Sequence, residues 1–215
     1  MLAMMAGNTD DAIQAFAKLG QENPKGPARF LAAYLSLRLG HAEAAARAYD
    51  ALAQDDPFHP WVRVGQVLAR LQGDPAAVER GLGPAPDSAK GVIALWPEMP
   101  EAHATLGCVH VLRGEHALAL KALDRALELD PDTLEAHRWR AAALAALDDK
   151  CEAVVAFTRV LALDPTAGDA LLRRAELYFD LGEKRRGQAD LKVYLDRFVP
   201  EADRERVKAY LEAKK

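Results

Sequence analysis

The chain has 215 residues, half of them apolar and 28% charged, which suits a globular protein of one or two domains with a sizeable core. A net charge of −4 with no basic stripe argues against a general nucleic-acid or membrane surface. No apolar run approaches the roughly 20 residues that span a bilayer, and the opening MLAMMA lacks the basic n-region of a signal peptide, although a longer precursor leaves export open.

In chain order, the first predicted helix lies in GNTDDAIQAFAKLGQENP, Gly7–Pro24. Asn8 or Thr9 caps it, Ala12 and Phe16 form its inner face, and Pro24 stops it. Three later segments repeat this plan: Gly40–Pro57, Gly114–Pro131 and Asp148–Pro165. Their closing prolines, Pro24, Pro57, Pro131 and Pro165, stand 33, 74 and 34 residues apart. Such a period is the mark of stacked repeats.

Each unit holds two helical patterns. In Pro100–Leu112, Ala102, Leu106, Val109 and Leu112 share a face; in His116–Leu129, Ala119, Leu120, Leu123, Ala126 and Leu127 do. Gly114 tolerates the positive φ of the tight helix end between them. Small Gly107 and Ala119 let the two helices approach closely. The 74-residue interval is two periods and six extra residues. It holds a helix over Pro60–Gly73, then a stretch broken by Gly81, Gly83, Pro84 and Pro86. A short helix near Pro75–Gly81, a turn and a helix near Asp87–Trp96 are expected there. At the end, Val207, Tyr210 and Leu211 give residues 201–215 the pattern of a polar capping helix.

The spacing resembles the tetratricopeptide repeat, W-x2-L-G-x2-Y…A-x3-F…P with a 34-residue period. The chain offers His103-x2-Leu106-Gly107-x2-His110, Ala119-x3-Leu123 and Pro131. Next come His137-x2-Arg140-Ala141-x2-Leu144, Ala153-x3-Phe157 and Pro165, then Leu171-x2-Arg174-Ala175-x2-Tyr178 and Gly187-x3-Leu191, with Pro200 one residue late. Earlier, Arg29-x2-Ala32-Ala33-x2-Ser36 precedes Ala45-x3-Tyr49 and Pro57. The resemblance implies an all-α, right-handed superhelical solenoid of antiparallel helix pairs. Its units would be 1–24 (partial), 26–57, 58–99 (irregular), 100–131, 134–165 and 168–200, with a capping helix over 201–215. A repeat's first helix needs about 13 residues on this pattern and MLAMMA offers six. The array therefore starts with a stub or belongs to a longer chain.

The resemblance also implies a concave groove, lined by the first helices of the pairs, that binds a peptide or a partner helix. Projected onto this chain, its residues are Phe30, Tyr34, Leu37 and Arg38, then Arg63, Val67 and Arg70. Glu101, Ala104, Cys108 and Val111 follow, then Glu135, Arg138 and Ala142, and finally Asp169, Leu172, Glu176 and Phe179. The groove would be apolar and aromatic at its N-terminal end and of mixed charge beyond. Some relatives clamp acidic chaperone tails with lysine, asparagine and arginine. The only two asparagines here, Asn8 and Asn23, lie outside the groove helices.

Chemistry-bearing groups are sparse. His103, Cys108, His110 and His116 are too scattered in spacing for a metal site, and His103 and His110 stand where the repeat packs an aromatic. Cys108 and Cys151 show no CxxC and are compatible with one bridge or two free thiols. No G-x-S-x-G, HExxH or phosphate loop occurs. Lys184, Arg185 and Arg186 fall at an expected turn. Trp96 is either a plug for the gap beside the irregular unit or a stiff lip with Pro97–Pro100. The expected function is a non-catalytic scaffold for another protein or peptide, with no cofactor, no metal and no nucleic acid, as a monomer or weak homo-oligomer. A self-assembly module, or a regulatory segment of a larger protein or enzyme, is the alternative.

Overall fold

Helix follows helix through the residues that the computed structural model describes, which are 9–23, 26–73, 89–199 and 204. Among them are α1 (Thr9–Glu22), α2 (Ala28–Arg38), α3 (Ala42–Asp55), α4 (Pro60–Gly73) and the short α5 (Ala89–Leu95). Then come α6 (Pro100–Leu112), α7 (His116–Leu129), α8 (Leu134–Ala146), α9 (Lys150–Leu163), α10 (Gly168–Asp180) and α11 (Lys184–Phe198). The fold is an all-α solenoid of stacked helix pairs. The Asn8 cap, the helix expected near 75–81 and the terminal helix over 201–215 fall outside the described residues, apart from Arg204.

Two turn devices recur. Inside a pair, the first helix closes with the N–H three residues past its end bonding five residues back. The bonds are His41 to Ser36, Glu115 to His110, Asp149 to Leu144 and Glu183 to Tyr178, at 2.8–2.9 Å. The residue between takes a left-handed conformation: Gly40, Gly114 and Gly182 at φ 74–79°, and Asp148 at φ 62°. Glycine suits that position because it has no Cβ to clash. Between pairs, a proline turn closes with an i→i+3 bond: His59 to Asp56, Met99 to Trp96, Thr133 to Asp130 and Ala167 to Asp164. Proline pre-sets φ for the second position, and Asp at the first accepts the N–H two residues on, from Phe58, Asp132 and Thr166.

This second device locates the irregular unit's end. Trp96-Pro97 takes the place of Asp-Pro, so the extra residues lie before Pro97 and the following interval is an ordinary one. Trp96 packs, half-buried, against the cluster of Val64, Val67, Val92 and Ala102 with Leu68, Leu71 and Met99. That is the plug arrangement.

Close helix approach depends on missing side-chain atoms. A Cβ on Gly65 would sit 2.2 Å from the Tyr49 ring, and one on Gly107 would sit 2.4 Å from Leu123. Tyr49 and Leu123 are 1% and 0% exposed, so the small residue and the large one are fitted to each other. Arg174 and Asp190 add a two-toothed ion pair at 2.7 and 2.8 Å between α10 and α11. No helix among the described residues is long and apolar enough to cross a membrane.

Candidate partner-binding face

Successive first helices pack on one another from α2 to α8, with α6 packed on both α4 and α8, and Arg138 of α8 pairs with Asp169 of α10. The stack bends far enough for the end of α2 to reach α8. Arg38 at the end of α2 donates to Glu135 on α8 at 2.8 Å, and its other Nη lies 3.8 Å from Asp164, in the turn before α10. The face lined by the first helices is thus the inner one, and Arg38 bridges it. Burial alone would raise the Asp164 carboxyl, but hydrogen bonds from Thr166 and the charges of Arg38 and Arg138 hold it below the usual aspartate range.

A cavity lies on each side of this bridge. The N-terminal one, of about 1100 Å³, is walled by Phe30, Leu31 and Tyr34 of α2, Leu52 of α3, and His59, Trp61 and Val62 at the start of α4. Tyr34 is 44% and Trp61 46% exposed, while Phe30 is held edge-on to Tyr49 at 6.0 Å. Arg29 and Asp55 pair at its rim. His59 Nδ1 is buried and makes no hydrogen bond among the described residues.

The C-terminal cavity, of about 610 Å³, opens between α8 and α10, with Phe157 of α9 among its lining residues. Trp139, Ala142, Ala145 and Leu177 line it, and Glu135, Arg138, Asp148, Lys150, Asp169, Arg173, Glu176 and Asp180 ring it. Arg138 donates to Asp169 at 2.6 Å, and Arg173 to Glu176 at 3.1 Å. Lys150 lies 3.2 Å from Asp148 and 3.6 Å from Asp180. The hydrogen bond from Lys150 to Asp148, with the charges of both carboxylates, holds this ammonium above the usual lysine range.

The structure therefore gathers some of the expected groove residues and disperses others. Phe30 and Tyr34 meet in the first cavity; Glu135, Arg138, Ala142, Asp169 and Glu176 meet in the second. Leu37, Val67 and Cys108 do not reach the open face: they are 6%, 2% and 2% exposed and belong to the core. Each first helix is flanked by neighbouring pairs, which leaves only a narrow strip open and packs those side chains away. Ala104 is buried too, and Val111 packs beside it. Arg63 turns back to the Pro57 carbonyl at 2.6 Å, and Arg70 pairs with Asp50 at 3.2 Å. Glu101 is half-buried; burial pushes its carboxyl up, a backbone hydrogen bond offsets part of that, and Asp130 adds to the rise. Leu172 and Phe179 pack against Ala175, Leu191, Leu195 and Val199 instead of lining the cavity.

What the projection missed on α10 is a rotation of one residue. The strip that reaches the cavity is Asp169, Arg173, Glu176 and Asp180, at helical spacing, with Leu177 beside it. Trp61, Trp139, Asp148 and Lys150 were also missed. The two tryptophans were the available signal, being large side chains beside groove positions.

The other groups settle into structural roles. His103 and His137 each bond the proline carbonyl six residues back at 2.8 Å. His110 Nδ1 lies 2.7 Å from Glu115, whose carboxyl is held low by that contact and by Arg113. Among the described residues no group of three or more His, Cys, Asp and Glu side chains is arranged to hold a metal ion. Cys108 is buried, Cys151 exposed, and both are free; burial pushes the Cys108 thiol up. Lys184, Arg185 and Arg186 begin α11 rather than forming a turn, because the Gly182 device lets the next helix start at once.

Comparisons with known proteins agree with this architecture. Tetratricopeptide repeat family models match residues 1–26, 100–133 and 169–199. An FK506-binding protein-like relative from Mus musculus is 41% identical over 69 residues, 32% of this chain. The match spans 20% of that relative's length. Among solved structures, TTC0263, a thermophilic TPR protein in Thermus thermophilus, superposes with TM-score 0.66 at 19% identity, covering 95% of this chain and 99% of that one. YrrB, described as a TPR protein with an unusual peptide-binding site, gives TM-score 0.54 at 22% identity over 92% of this chain and 99% of its own. At such identities the likeness is one of fold.

Proposed function

The chain is a tetratricopeptide repeat protein, and from that premise we propose that it is a non-catalytic scaffold that docks a peptide or helix of another protein on its inner face. Tetratricopeptide proteins bind other proteins and the family is generally non-catalytic. The observation that carries the finer reading is the pair of cavities between first helices, one either side of the Arg38 bridge. A prebuilt wall of stacked helices leaves the ordering cost of binding mainly to the partner. The groove residues of the scaffold are then Phe30, Tyr34 and Trp61 at one end and Arg138, Trp139, Asp169 and Glu176 at the other.

The test is capture of partners from the source organism by the whole chain, identified by mass spectrometry, beside two variants. Tyr34→Ala with Trp61→Ala strips the first cavity, and Trp139→Ala with Glu176→Arg alters the second. At least one should lose the main partner while melting within a few degrees of the parent. If both variants retain every partner, the inner face is not where this protein binds.

A further inference from the structure

We infer that the cavity between α8 and α10 receives a lysine- or arginine-bearing segment of a partner protein. Its aliphatic stem lies over Trp139 and Leu177, and its cationic head sits among Asp148, Glu176 and Asp180. This rests on the scaffold reading above and adds the chemistry of the occupant. The first support is charge balance: five carboxylates and three cations ring the cavity. The imbalance is local. At one end Glu135 and Asp169 are matched by Arg138 and by Arg38 from across the face. At the other, Arg173 is taken up by Glu176 and the one ammonium of Lys150 is shared between Asp148 and Asp180, which leaves one carboxylate in excess. Asp148 and Asp180 are 83% and 57% exposed, so their unmatched charge faces the opening.

The second support is the backbone. The C-terminal ends of α8, at Ala146, and of α10, at Asp180, both fall at this end of the cavity. The partial negative charge of two helix ends adds to that of the carboxylates and favours a cation there. Lys150 is held above its usual range at this end by the hydrogen bond to Asp148 and the charges of Asp148 and Asp180. The third support is the apolar lining. Trp139, Ala142, Ala145 and Leu177 offer a surface for methylenes beneath a charged rim, which suits a side chain that is apolar along its stem and cationic at its tip. The volume, about 610 Å³, lies within the range of roughly 300–1,000 Å³ usual for ligand pockets.

The experiment uses the whole chain and two labelled, blocked peptides read by fluorescence anisotropy. One alternates leucine with lysine; the other carries glutamate in place of lysine. The lysine peptide should bind at least about 10-fold more tightly, and the preference should shrink with added salt. Glu176→Gln with Asp180→Asn should weaken it about 10-fold with an unchanged melting curve. Glu43→Gln with Glu152→Gln removes the same charge from α3 and α9, outside both cavities, and should leave it within about 2-fold. Equal binding by the cavity variant, preference for the glutamate peptide, or no binding of the lysine peptide overturns the inference. The scaffold reading fails on a different result: peptides that bind the parent and every inner-face variant alike.

Discussion

The N-terminal and C-terminal cavities stand on the same frame and present opposite chemistry. Both lie between successive first helices, behind the same left-handed helix ends and the same proline turns. One is walled by Phe30, Leu31, Tyr34 and Trp61; the other is ringed by eight ionised side chains over an apolar lining. Core and turn positions are constrained by packing and by φ, whereas the narrow strip facing the inner surface is free to carry any chemistry. Each cavity also rests on one large buried aromatic, Tyr49 beneath Phe30 and Phe157 beneath the C-terminal one, at 1% and 7% exposure.

Those two aromatics give the largest expected effect. Tyr49→Ala and Phe157→Ala should each cost about 3–5 kcal/mol in urea unfolding, through lost burial and the cavity left behind. Equal losses would show that both cavities share one kind of support. A loss below about 1 kcal/mol for Phe157→Ala would break the parallel, marking the C-terminal lining as free to rearrange. Trp96→Ala comes next, near about 2 kcal/mol, since the indole is only half-buried in the cluster that joins α4, α5 and α6. Unchanged thermal stability in that variant would return Trp96 to the role of a surface lip.

Gly40 after α2 and Asp148 after α8 hold the same left-handed conformation, at φ 79° and 62°. An aspartate there is strained where glycine is not. Asp148→Gly should therefore stabilise the chain by about 0.5–1 kcal/mol in thermal melts, while weakening the cationic peptide by removing a rim carboxylate. Stability gained with peptide affinity unchanged would leave Asp148 as strain without a purpose in binding.

Much of this was legible in the sequence because it is written in residues with few alternatives. Asp-Pro and Gly at fixed offsets dictate turns, and alanines at fixed offsets dictate close packing; together they specified helix pairs, period and solenoid. The irregular unit was partly legible: a helix near 87–96 appears as Ala89–Leu95, but Trp96-Pro97 hid the turn because the aspartate is absent. The site was less legible. A one-residue rotation of α10 exchanges Leu172 and Phe179 for Arg173, Leu177 and Asp180, and repeat spacing cannot resolve 100° about a helix axis. Arg38 meeting Glu135 across 97 residues depends on the accumulated bend of the whole stack, which no local pattern encodes.

That bridge separates the two cavities, and the smallest expected effect belongs to it. Its partners are partly exposed, so Arg38→Ala should cost no more than about 1 kcal/mol. Acid offers a finer handle. The folded-state carboxyl of Asp164 lies below its usual value, so its stabilising contribution is complete above the unfolded value near about 4 and fades as acid protonates the folded form. Asp164→Asn keeps an acceptor for the Thr166 N–H but loses the charge facing Arg38. The stability gap between parent and variant should be constant above about pH 5, narrow below about pH 4 and close near about pH 2. A gap that persists fully at the lowest pH would mean the carboxylate acts only through its turn, and that the two cavities are held apart by Glu135 alone.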